Sequence, residues 1–361
     1  MILESNAIAS GSSGKGGGLI ASWAEPECLA QPSFPLHEEL ANLHDRTRKW
    51  GYRRVTCADC MIDTTRTMLK TQHGTSSPRF SGANLPQELD WVRKDALLFY
   101  QPVGSKGNTA QCDPFLFTTA MFEEARTGGA SFVQGTAVKI EAAGHENAVV
   151  AVRYIDVHSQ LQTTPATHVI IAAGPWSSNI MPEASVSGAR CHSLVFRPSQ
   201  PLSSNLLFAD VTYESDGTKQ HLTPEVYPRP DGTVYACESA DPTYPLPASS
   251  AEVVADAAVC HSIQVAVGAV SQQLHIATVE KQQVCYQPIV TFEGKRRKLV
   301  GPFLGNTSTT GAYIACGHDS WGISNAPATG KALSELIYDG QSVTVDISSL
   351  SIQNVMSRAK G

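Results

Sequence analysis

The sequence predicts an α/β fold of two domains, one of them built on a mixed β-sheet. Residues 168–173 read His-Val-Ile-Ile-Ala-Ala, an apolar run ending in small residues that is typical of a strand buried on both faces of an α/β layer structure. Residues 2–4 form a short apolar strand that ends in an acid, and a glycine-rich run occupies residues 11–18. Short β-type runs between residues 190 and 300, separated by turn signals, indicate the mixed sheet.

Length and composition are those of an ordinary folded protein. The 361 residues favour one large or two medium domains, and 42% hydrophobic with 17% charged residues is enough to bury a sizeable core. The formal net charge is −6 and there is no long basic run, so neither a phosphate backbone nor an anionic membrane surface is the expected partner. Nucleic-acid binding is therefore not expected.

Three features predict where the protein resides. No apolar stretch approaches the ~18 residues of a membrane span, and the start lacks the basic and apolar regions of a secretory signal. The nine cysteines are scattered and odd in number, as in a reducing compartment. We expect no integral membrane segment and a cytoplasmic location. Peripheral association with an organelle such as the late endosome would leave no trace in the sequence.

Local signals place the elements of the first half. Apolar residues at spacings of four, three and seven predict an amphipathic helix over about 36–50. A second helix is predicted over 114–127, with Asp113 as N-cap, a proline in the first turn and two glycines after its end. Residues 71–88, rich in Ser, Gly, Pro and Thr, predict a loop.

The second half is predicted in the same way. A helix over about 250–267 interrupts the β-type runs, and a last helix runs from about Pro327 to Tyr338 with Asn325 as candidate N-cap. Strands are predicted over residues 137–140, 149–155 and 312–315.

Cys57-Ala58-Asp59-Cys60 is a C-x-x-C motif. A zinc site needs a second pair at knuckle spacing, and none follows. A redox pair would usually stand at a helix start, where the dipole lowers the thiol pKa, but here a strand-like run precedes the motif. Because the pattern has low specificity, two ordinary thiols are the favoured interpretation.

Dinucleotide binding in a doubly wound fold needs a glycine turn into a helix, an acid at the end of the next strand, and small residues where backbone meets cofactor. Glu4 stands where the ribose-binding acid would, but that acid belongs about 20 residues after the glycine fingerprint. The run 11–18 matches neither G-x-G-x-x-G nor a P-loop, and no periodic apolar helix follows it. Taken alone it is a weak phosphate loop or a flexible glycine loop, with the second slightly favoured.

Several further motifs occur in one order along the chain, and the last is highly specific. They are Trp50-Gly51-Tyr52-Arg53, Thr109-Ala110-Gln111, Gly174-Pro175-Trp176-Ser177, Glu225-Val226-Tyr227-Pro228-Arg229-Pro230-Asp231-Gly232 and Gly317-His318-Asp319-Ser320-Trp321-Gly322-Ile323-Ser324-Asn325-Ala326-Pro327. With the strand ending in Glu4 and the run 11–18, they resemble the FAD-dependent oxidoreductases of the D-amino-acid oxidase (DAO) family, which include glycine and sarcosine oxidases. The nearest resemblance is to the fungal-type branch.

This resemblance implies a glutathione-reductase-like FAD-binding domain, formed by residues 1–50, 113–185 and 300–361, and a mixed-sheet substrate domain formed by residues 51–112 and 186–299. It implies FAD as cofactor and assigns these cofactor-binding residues: Glu4 to the ribose; Gly11, Ser12, Ser13, Gly14, Lys15, Gly16, Gly17 and Gly18 to the phosphate and ribityl groups; Val138 to the adenine; Ala172, Ala173 and Gly174 to close backbone approach; and Gly317, His318, Trp321, Gly322 and Ile323 to the isoalloxazine ring. No metal ligand and no catalytic side chain are implied.

The helix behind the closing motif has a physical reason to lie at the flavin. Two-electron reduction leaves negative charge on the N1–C2=O edge of the ring, and a helix that starts near Pro327 presents unpaired N–H groups and a positive dipole end. For His318 a structural imidazole and a direct chemical role are about equally supported.

The resemblance also implies a small amine or amino-acid-like substrate, which loses hydride from its α-carbon to flavin N5 without an acid/base triad. Amino-acid members hold the substrate carboxylate with an arginine before a proline, where this chain has Gln287. Arg229 and Arg190 are candidate substitutes, although a salt bridge is the favoured role of each. Tyr227 either lines the pocket or is a half-buried strand residue.

The family's first strand, glycine turn and helix do not occur in the sequence. An incomplete gene model is the favoured explanation; a truncated relative that no longer binds FAD and replacement by another chain are the others. The first strand is normally central, so its neighbours should each have an unpaired edge. Two functions follow: an FAD-dependent oxidoreductase, or an inactive family member that acts as a binding or trafficking module.

Overall fold

The computed structural model describes residues 1–43, 47–65, 85–292, 295–296 and 301–360, so most of the loop predicted over 71–88 lies outside the described residues. The helices are α1 Glu27–Asn42, α2 Thr47–Trp50, α3 Pro114–Thr127, α4 Ser177–Ile180, α5 Ala257–Val270, α6 Gln272–His275, α7 Gly322–Tyr338 and α8 Ile352–Lys360. The strands are β1 Ile2–Glu4, β2 Leu19–Ala21, β3 Arg53–Arg54, β4 Thr56–Asp63, β5 Leu97–Gly104, β6 Thr109–Gln111, β7 Phe132–Ala143, β8 Ala148–Asp156, β9 Leu161–Pro165, β10 Val169–Ile171, β11 Val186–Arg197, β12 Asn205–Ser215, β13 Thr218–Leu222, β14 Glu225–Pro228, β15 Val234–Cys237, β16 Thr278–Phe292, β17 Lys295–Arg296, β18 Phe303–Asn306 and β19 Ala312–Cys316.

These strands form one large sheet and three small ones. The large sheet has the order β17-β16-β11-β15-β14-β12-β4-β5, with β13 paired to β12. Its β12–β4 pair is parallel while β11–β16 and β14–β15 are antiparallel, which confirms the predicted mixed sheet. The small sheets have the orders β1-β7-β8-β9, β10-β19-β18 and β2-β6-β3. In the part of the chain that the structure describes, no helix is long and apolar enough to cross a bilayer.

The segment 51–112 contributes to both halves of the molecule. Its strands β4 and β5 belong to the large sheet, whereas β6 pairs with β2, which follows the glycine-rich run, and β3 pairs with the other edge of β6. The large sheet is therefore joined to the glycine-rich run through two short strands as well as through side-chain contacts.

Two of the parallel strands pair on one side only within the described chain. β1 pairs with β7, and β10 pairs with β19. Ile171 of β10 is buried, but Ile170 is 47% exposed, so the prediction that this strand is covered on both faces is wrong.

The first helix differs from the prediction. α1 begins at Glu27 rather than near residue 36, and it contains Pro32 and Pro35. As expected, no helix follows the glycine-rich run directly: β2 follows it, and α1 begins only after Pro26. Each proline removes one N–H from the helix ladder, so in the sequence the two prolines resemble helix breakers. Packing decides instead: Leu29 and Ala30 are completely buried.

The predicted helix over 114–127 is confirmed. Its N-cap Asp113 accepts a hydrogen bond from the Leu116 N–H at 3.0 Å, and Pro114 occupies the first turn. The predicted strands over 137–140, 149–155 and 312–315 lie within β7, β8 and β19. The helix predicted over 250–267 begins later, at Ala257, because Asp256 caps it.

The two faces of the large sheet pack against different partners. Leu194 and Phe196 lie in the core beneath α5, together with Ile263 of that helix. The other face carries Cys57 and Tyr227 and packs against the glycine-rich run, since Tyr227 touches Gly17. We call these the α5 face and the loop face.

The C-x-x-C motif lies on β4. Cys57 belongs to the loop face and Cys60 to the core on the α5 face, because residues three apart on a strand point to opposite sides. Burial raises the pKa of Cys57 to about 11 and that of Cys60 to about 12. The two thiols therefore cannot pair with each other, and they stay protonated at neutral pH.

Candidate functional site

The glycine-rich run is a tightly folded loop. Its residues Ser12–Gly14 form a 3-10 turn. A Cβ added to Gly14 would lie 2.0 Å from the Ala9 carbonyl oxygen, and one on Gly18 would lie 1.8 Å from that of Cys112. Gly18 also has a φ of +83°, in the left-handed region that favours glycine. The flexible loop that the run alone slightly favoured is therefore not what forms.

Arg229, which directly follows β14 of the large sheet, holds this loop in place. Its Nη2 donates to the Gly16 carbonyl at 2.9 Å, and its Nη1 lies 3.4 Å from the Asp113 carboxylate. The guanidinium carbon is 5.2 Å from the centre of the Tyr235 ring. Arg229 thus joins the loop, the start of α3 and β15, and its Nη groups are engaged by the protein itself. Its predicted role toward a substrate carboxylate remains untested.

Two further bonds fasten the loop. Lys15 Nζ donates to the Val284 carbonyl of β16 at 3.1 Å, and Thr118 Oγ1 of α3 donates to the Ser13 carbonyl at 3.2 Å. An open cavity of about 490 Å³ lies beside Lys15, between β16 and the segment 253–255. The loop is thereby bonded to the large sheet through Lys15 and Arg229 and to α3 through Thr118.

Tyr227 packs directly beneath the loop. It is 2% exposed, and a Cβ on Gly17 would lie 2.5 Å from its ring, so only glycine permits this approach. The Tyr227 hydroxyl donates to Glu225 Oε2 at 2.6 Å. Burial raises the pKa of Glu225 and of Tyr227. Gln287, half-buried on β16 opposite Ala189, lies on the same face of the sheet.

The closing motif follows β19. Gly317 has a φ of +79°, and its Cβ position is 2.8 Å from a methyl group of Val290. His318 Nε2 lies 3.2 Å from Thr329 Oγ1, and burial lowers the pKa of His318 to about 4. Trp321 packs edge-to-face on Trp23 with 5.6 Å between ring centroids. The motif is therefore placed against the segment that follows the glycine-rich loop.

The start of α7 depends on α1 for its hydrogen bonds. α7 begins at Gly322 and contains Pro327, so the predicted start at Pro327 is wrong. Because Pro327 has no N–H, the Ile323 carbonyl lacks its usual helical donor, and His37 Nε2 lies 2.9 Å from that oxygen. One residue further on, the Ala328 N–H donates to Ser33 Oγ at 3.0 Å.

Asn325 does not cap α7, contrary to the prediction. Its Nδ2 donates to the Glu25 carbonyl at 2.9 Å. Ser324 Oγ accepts from the Ala21 N–H at 3.2 Å. These side chains fasten the beginning of α7 to β2 and to the segment before α1, and no side chain caps its first N–H groups.

Acidification is expected to weaken this arrangement through His37. Because a carbonyl can only accept, His37 Nε2 must carry the proton, and burial lowers the pKa of this fully buried imidazole from 6.5 to about 4. As pH falls, the unfolded chain takes up this proton before the folded chain does. The free energy of unfolding is therefore highest above pH 6.5 and falls by about 3 kcal/mol between pH 6.5 and 4. His37→Gln keeps a donor but does not titrate.

The check is the free energy of unfolding from urea denaturation at several pH values. We expect its fall between pH 6.5 and 4 to be smaller in His37→Gln than in the unmodified chain. His221→Gln is the control, since that histidine is exposed. Identical pH profiles for His37→Gln and the unmodified chain would contradict the assignment.

The remaining predicted residues lie on or next to two small mixed sheets, those that contain β1 and β10. The Glu4 carboxylate, at the end of β1, accepts from the Asn6 N–H at 3.0 Å. Val138 lies at a bulge of the neighbouring β7 and is 43% exposed. Ala172, Ala173 and Gly174 follow β10, which runs parallel to β19, so they lie at the sheet edge from which the closing motif leaves.

Three glycines of the predicted set leave room beside the backbone. A Cβ on Gly11 or on Gly174 would meet no heavy atom within 4 Å, and one on Gly322 would meet only the His318 Cβ at 3.8 Å. At Gly14 and Gly18, by contrast, the neighbouring backbone leaves no room for a side chain; at Gly174 there is room, but its φ of +54° itself favours glycine. The open glycines mark backbone that a bound group can approach.

Sequence reasoning missed several residues of this site. Trp23, His37 and Asp113, the last in its contact with Arg229, each act through a partner far along the chain. The hydrogen bond between Arg229 and Gly16, for example, joins residues 213 positions apart. Glu225 accepts from Tyr227, two residues away. Only Asp113 had a local signal, its place before the first proline of α3.

Comparison with known families and proteins gives a consistent result. The family described as FAD dependent oxidoreductase matches residues 1–336. The Schizosaccharomyces pombe protein named "Putative oxidoreductase C1F5.03c" is 31% identical over 96% of this chain and 88% of its own length. The Saccharomyces cerevisiae protein named "Putative oxidoreductase TDA3" is 25% identical over 97% of this chain and 87% of its own length.

The fold is also found among solved structures. The crystal structure of glycine oxidase from Geobacillus kaustophilus superposes with a TM-score of 0.70, covering 97% of this chain and 90% of that enzyme at 16% identity. At this level of identity the likeness concerns the fold, and it agrees with the mixed α/β architecture described above.

Proposed function

Because this chain belongs to the DAO family of FAD dependent oxidoreductases, we propose that it binds FAD and oxidises a small amine or amino-acid-like molecule. The observation that carries the proposal is the bare glycine backbone at Gly11, Gly174 and Gly322, each open to a bound group. Glycine oxidase, whose fold the chain shares, acts on an amino acid, as its name states.

The residues present fit FAD. The loop 11–18 would hold its phosphate and ribityl groups through main-chain N–H groups, and Glu4 would bond the ribose. The main chain at Val138 and at residues 172–174 would flank the cofactor. The surroundings of residues 317–323 would hold the flavin ring. We propose the domain division of the sequence prediction, with β3 and β6 assigned to the FAD-binding half because they form one sheet with β2.

When bound, FAD would supply the redox chemistry by accepting a hydride at N5 from the substrate carbon next to nitrogen. The chain's own contribution is electrostatic and geometric. The first N–H groups of α7 form a positive helix end beside the closing motif. His318, whose pKa is lowered to about 4, stays neutral at pH 7 and adds no charge of its own.

The alternative is an inactive family member that acts as a binding or trafficking module. The one-sided pairing of β1 and β10 favours it, because the sheet between them is not continuous within the described chain. The two functions differ in one measurable property, the retention of flavin.

The test is FAD binding by the purified full chain. We expect gel-filtered protein to keep the visible absorption of flavin after incubation with FAD. Gly11→Leu fills open space at the loop and should weaken FAD binding at least tenfold, about 1.4 kcal/mol, without lowering Tm. Gly330→Leu is the matched control, since a Cβ there also meets nothing within 4 Å but lies on α7, away from the loop.

Two outcomes would contradict the proposal. A chain that remains colourless after incubation with FAD supports the alternative function. A chain that binds FAD equally well with leucine at position 11 would show that the cofactor lies elsewhere.

A further inference from the structure

Three partly exposed aromatic side chains form a cluster between the closing motif and the large sheet. Trp23 lies in the middle, 5.6 Å from Trp321 and 6.5 Å from Phe208 between ring centroids, and both pairs are edge-to-face. We call these three residues the aromatic cluster. Because Trp321 immediately precedes α7, the cluster connects the predicted flavin-ring site with the loop face of the sheet.

The sheet beyond the cluster carries an acid and exposed apolar side chains. Asp59 of β4 stands opposite Phe208 of β12 in the parallel register, so both side chains share the loop face. Asp59 is exposed. Two residues along β4, Met61 stands opposite Phe99 of β5, and each is 42% exposed. The result is an open apolar surface with one carboxylate beside an aromatic ring.

Among the described side chains, no arginine offers a free guanidinium to this surface. Arg229 and Arg53 donate to main-chain carbonyls of the protein. Arg190 lies on the α5 face, where its guanidinium stacks on Tyr244 at 4.5 Å, so it does not substitute for the missing arginine. The other described arginines form ion pairs or ring contacts elsewhere. Lys15 donates to a β16 carbonyl.

We propose that this surface recognises an amine without an α-carboxylate, its nonpolar body against the aromatic cluster and its ammonium group near Asp59. Naming this amine a substrate rests on the proposed function. Aromatic faces and a carboxylate both attract a cation. The same carboxylate repels an α-carboxylate, which also finds no forked donor among the described residues. The surface therefore selects against amino acids by charge.

The decisive pair of probes is 2-phenylethylamine and phenylalanine, which differ only in the carboxylate. Calorimetric titration of the full chain should show the amine binding at least tenfold more tightly, which corresponds to about 1.4 kcal/mol. Equal affinities, tighter binding of phenylalanine, or no binding of the amine would overturn the proposal.

Asp59→Asn tests the charge itself. We expect it to weaken 2-phenylethylamine binding about tenfold. The ratio of the affinities for 2-phenylethylamine and phenylalanine should become smaller. Asp90→Asn is the matched control, because Asp90 is exposed while its neighbours Leu89 and Trp91 pack in the core beneath α5. If Asp59→Asn binds the amine as tightly as the unmodified chain does, Asp59 does not contribute to the site.

The visible absorption of the same samples separates this inference from the proposed function. A chain that carries FAD but prefers phenylalanine keeps the proposed function and overturns the amine selectivity. A chain that prefers the amine but never retains FAD keeps the recognition surface and contradicts the oxidoreductase.

Discussion

Gly18→Ala is expected to lower the free energy of unfolding by about 3 kcal/mol or more, combining backbone strain with a steric clash. The new Cβ would stand 1.8 Å from the Cys112 carbonyl oxygen, and the φ of +83° disfavours any side chain. That carbonyl is main chain, so relief requires moving the segment between β6 and α3. The Gly18 carbonyl also accepts from the Cys112 N–H at 3.0 Å, which ties the two segments together.

The measurement is the denaturation midpoint in urea at constant m-value. Gly11→Ala is the matched control, because a Cβ there meets no atom within 4 Å and its φ is −85°. The control should change stability by less than about 0.5 kcal/mol. If both variants are as stable as the unmodified chain, the loop does not pack as described.

The second large effect is expected for Arg229→Ala, a loss of about 2–4 kcal/mol, because it leaves a mostly buried carboxylate without its cation. Arg229 and Asp113 have side chains only 11% and 21% exposed. The substitution also removes the donor to the Gly16 carbonyl, so the glycine-rich loop should loosen along with the start of α3.

Arg229→Lys separates charge from geometry. Lysine keeps the positive charge but lacks the planar fork that reaches Gly16 and Asp113 together, so intermediate stability is expected. Stability is measured by urea unfolding, and loosening of the loop by amide hydrogen exchange at residues 11–18. An Arg229→Ala variant that unfolds at the midpoint of the unmodified chain would show that the three contacts contribute nothing.

Elements with local signals could be predicted from the sequence. The helix over 114–127 has its cap, its first-turn proline and its terminal glycines within one stretch, and the structure has Pro114–Thr127. The strands within β7, β8 and β19 show short runs that are mostly apolar, of the kind that need no distant partner to be recognised. Their boundaries differ from the prediction by a few residues because strand ends are fixed by their pairing partners.

Elements that depend on distant partners could not be predicted. Two of the misplaced helix starts, those of α1 and α7, involve prolines inside a helix. A proline usually ends a helix pattern, and only packing shows that His37 of α1 supplies the donor that Pro327 lacks, while Ser33 of α1 accepts from the Ala328 N–H. Nothing near Pro327 in the sequence points to residues almost three hundred positions earlier.

The candidate site divides in the same way. The glycine-rich loop and the closing motif could be found from the sequence because their resemblance to a family is strong. Their geometry could not, since the loop is held by Arg229 and Tyr227 from the large sheet. The aromatic cluster was also invisible, because Trp23, Phe208 and Trp321 meet only in the folded chain.

The dependence of α7 on α1 has a consequence for how the molecule opens. A helix normally frays or unfolds along its own hydrogen-bond ladder. Here the Ile323 carbonyl and the Ala328 N–H are bonded to His37 and Ser33, so the first turns of α7 cannot separate from α1 without breaking both bonds. The middle of α1 and the beginning of α7 therefore form one cooperative unit, although they lie at opposite ends of the chain.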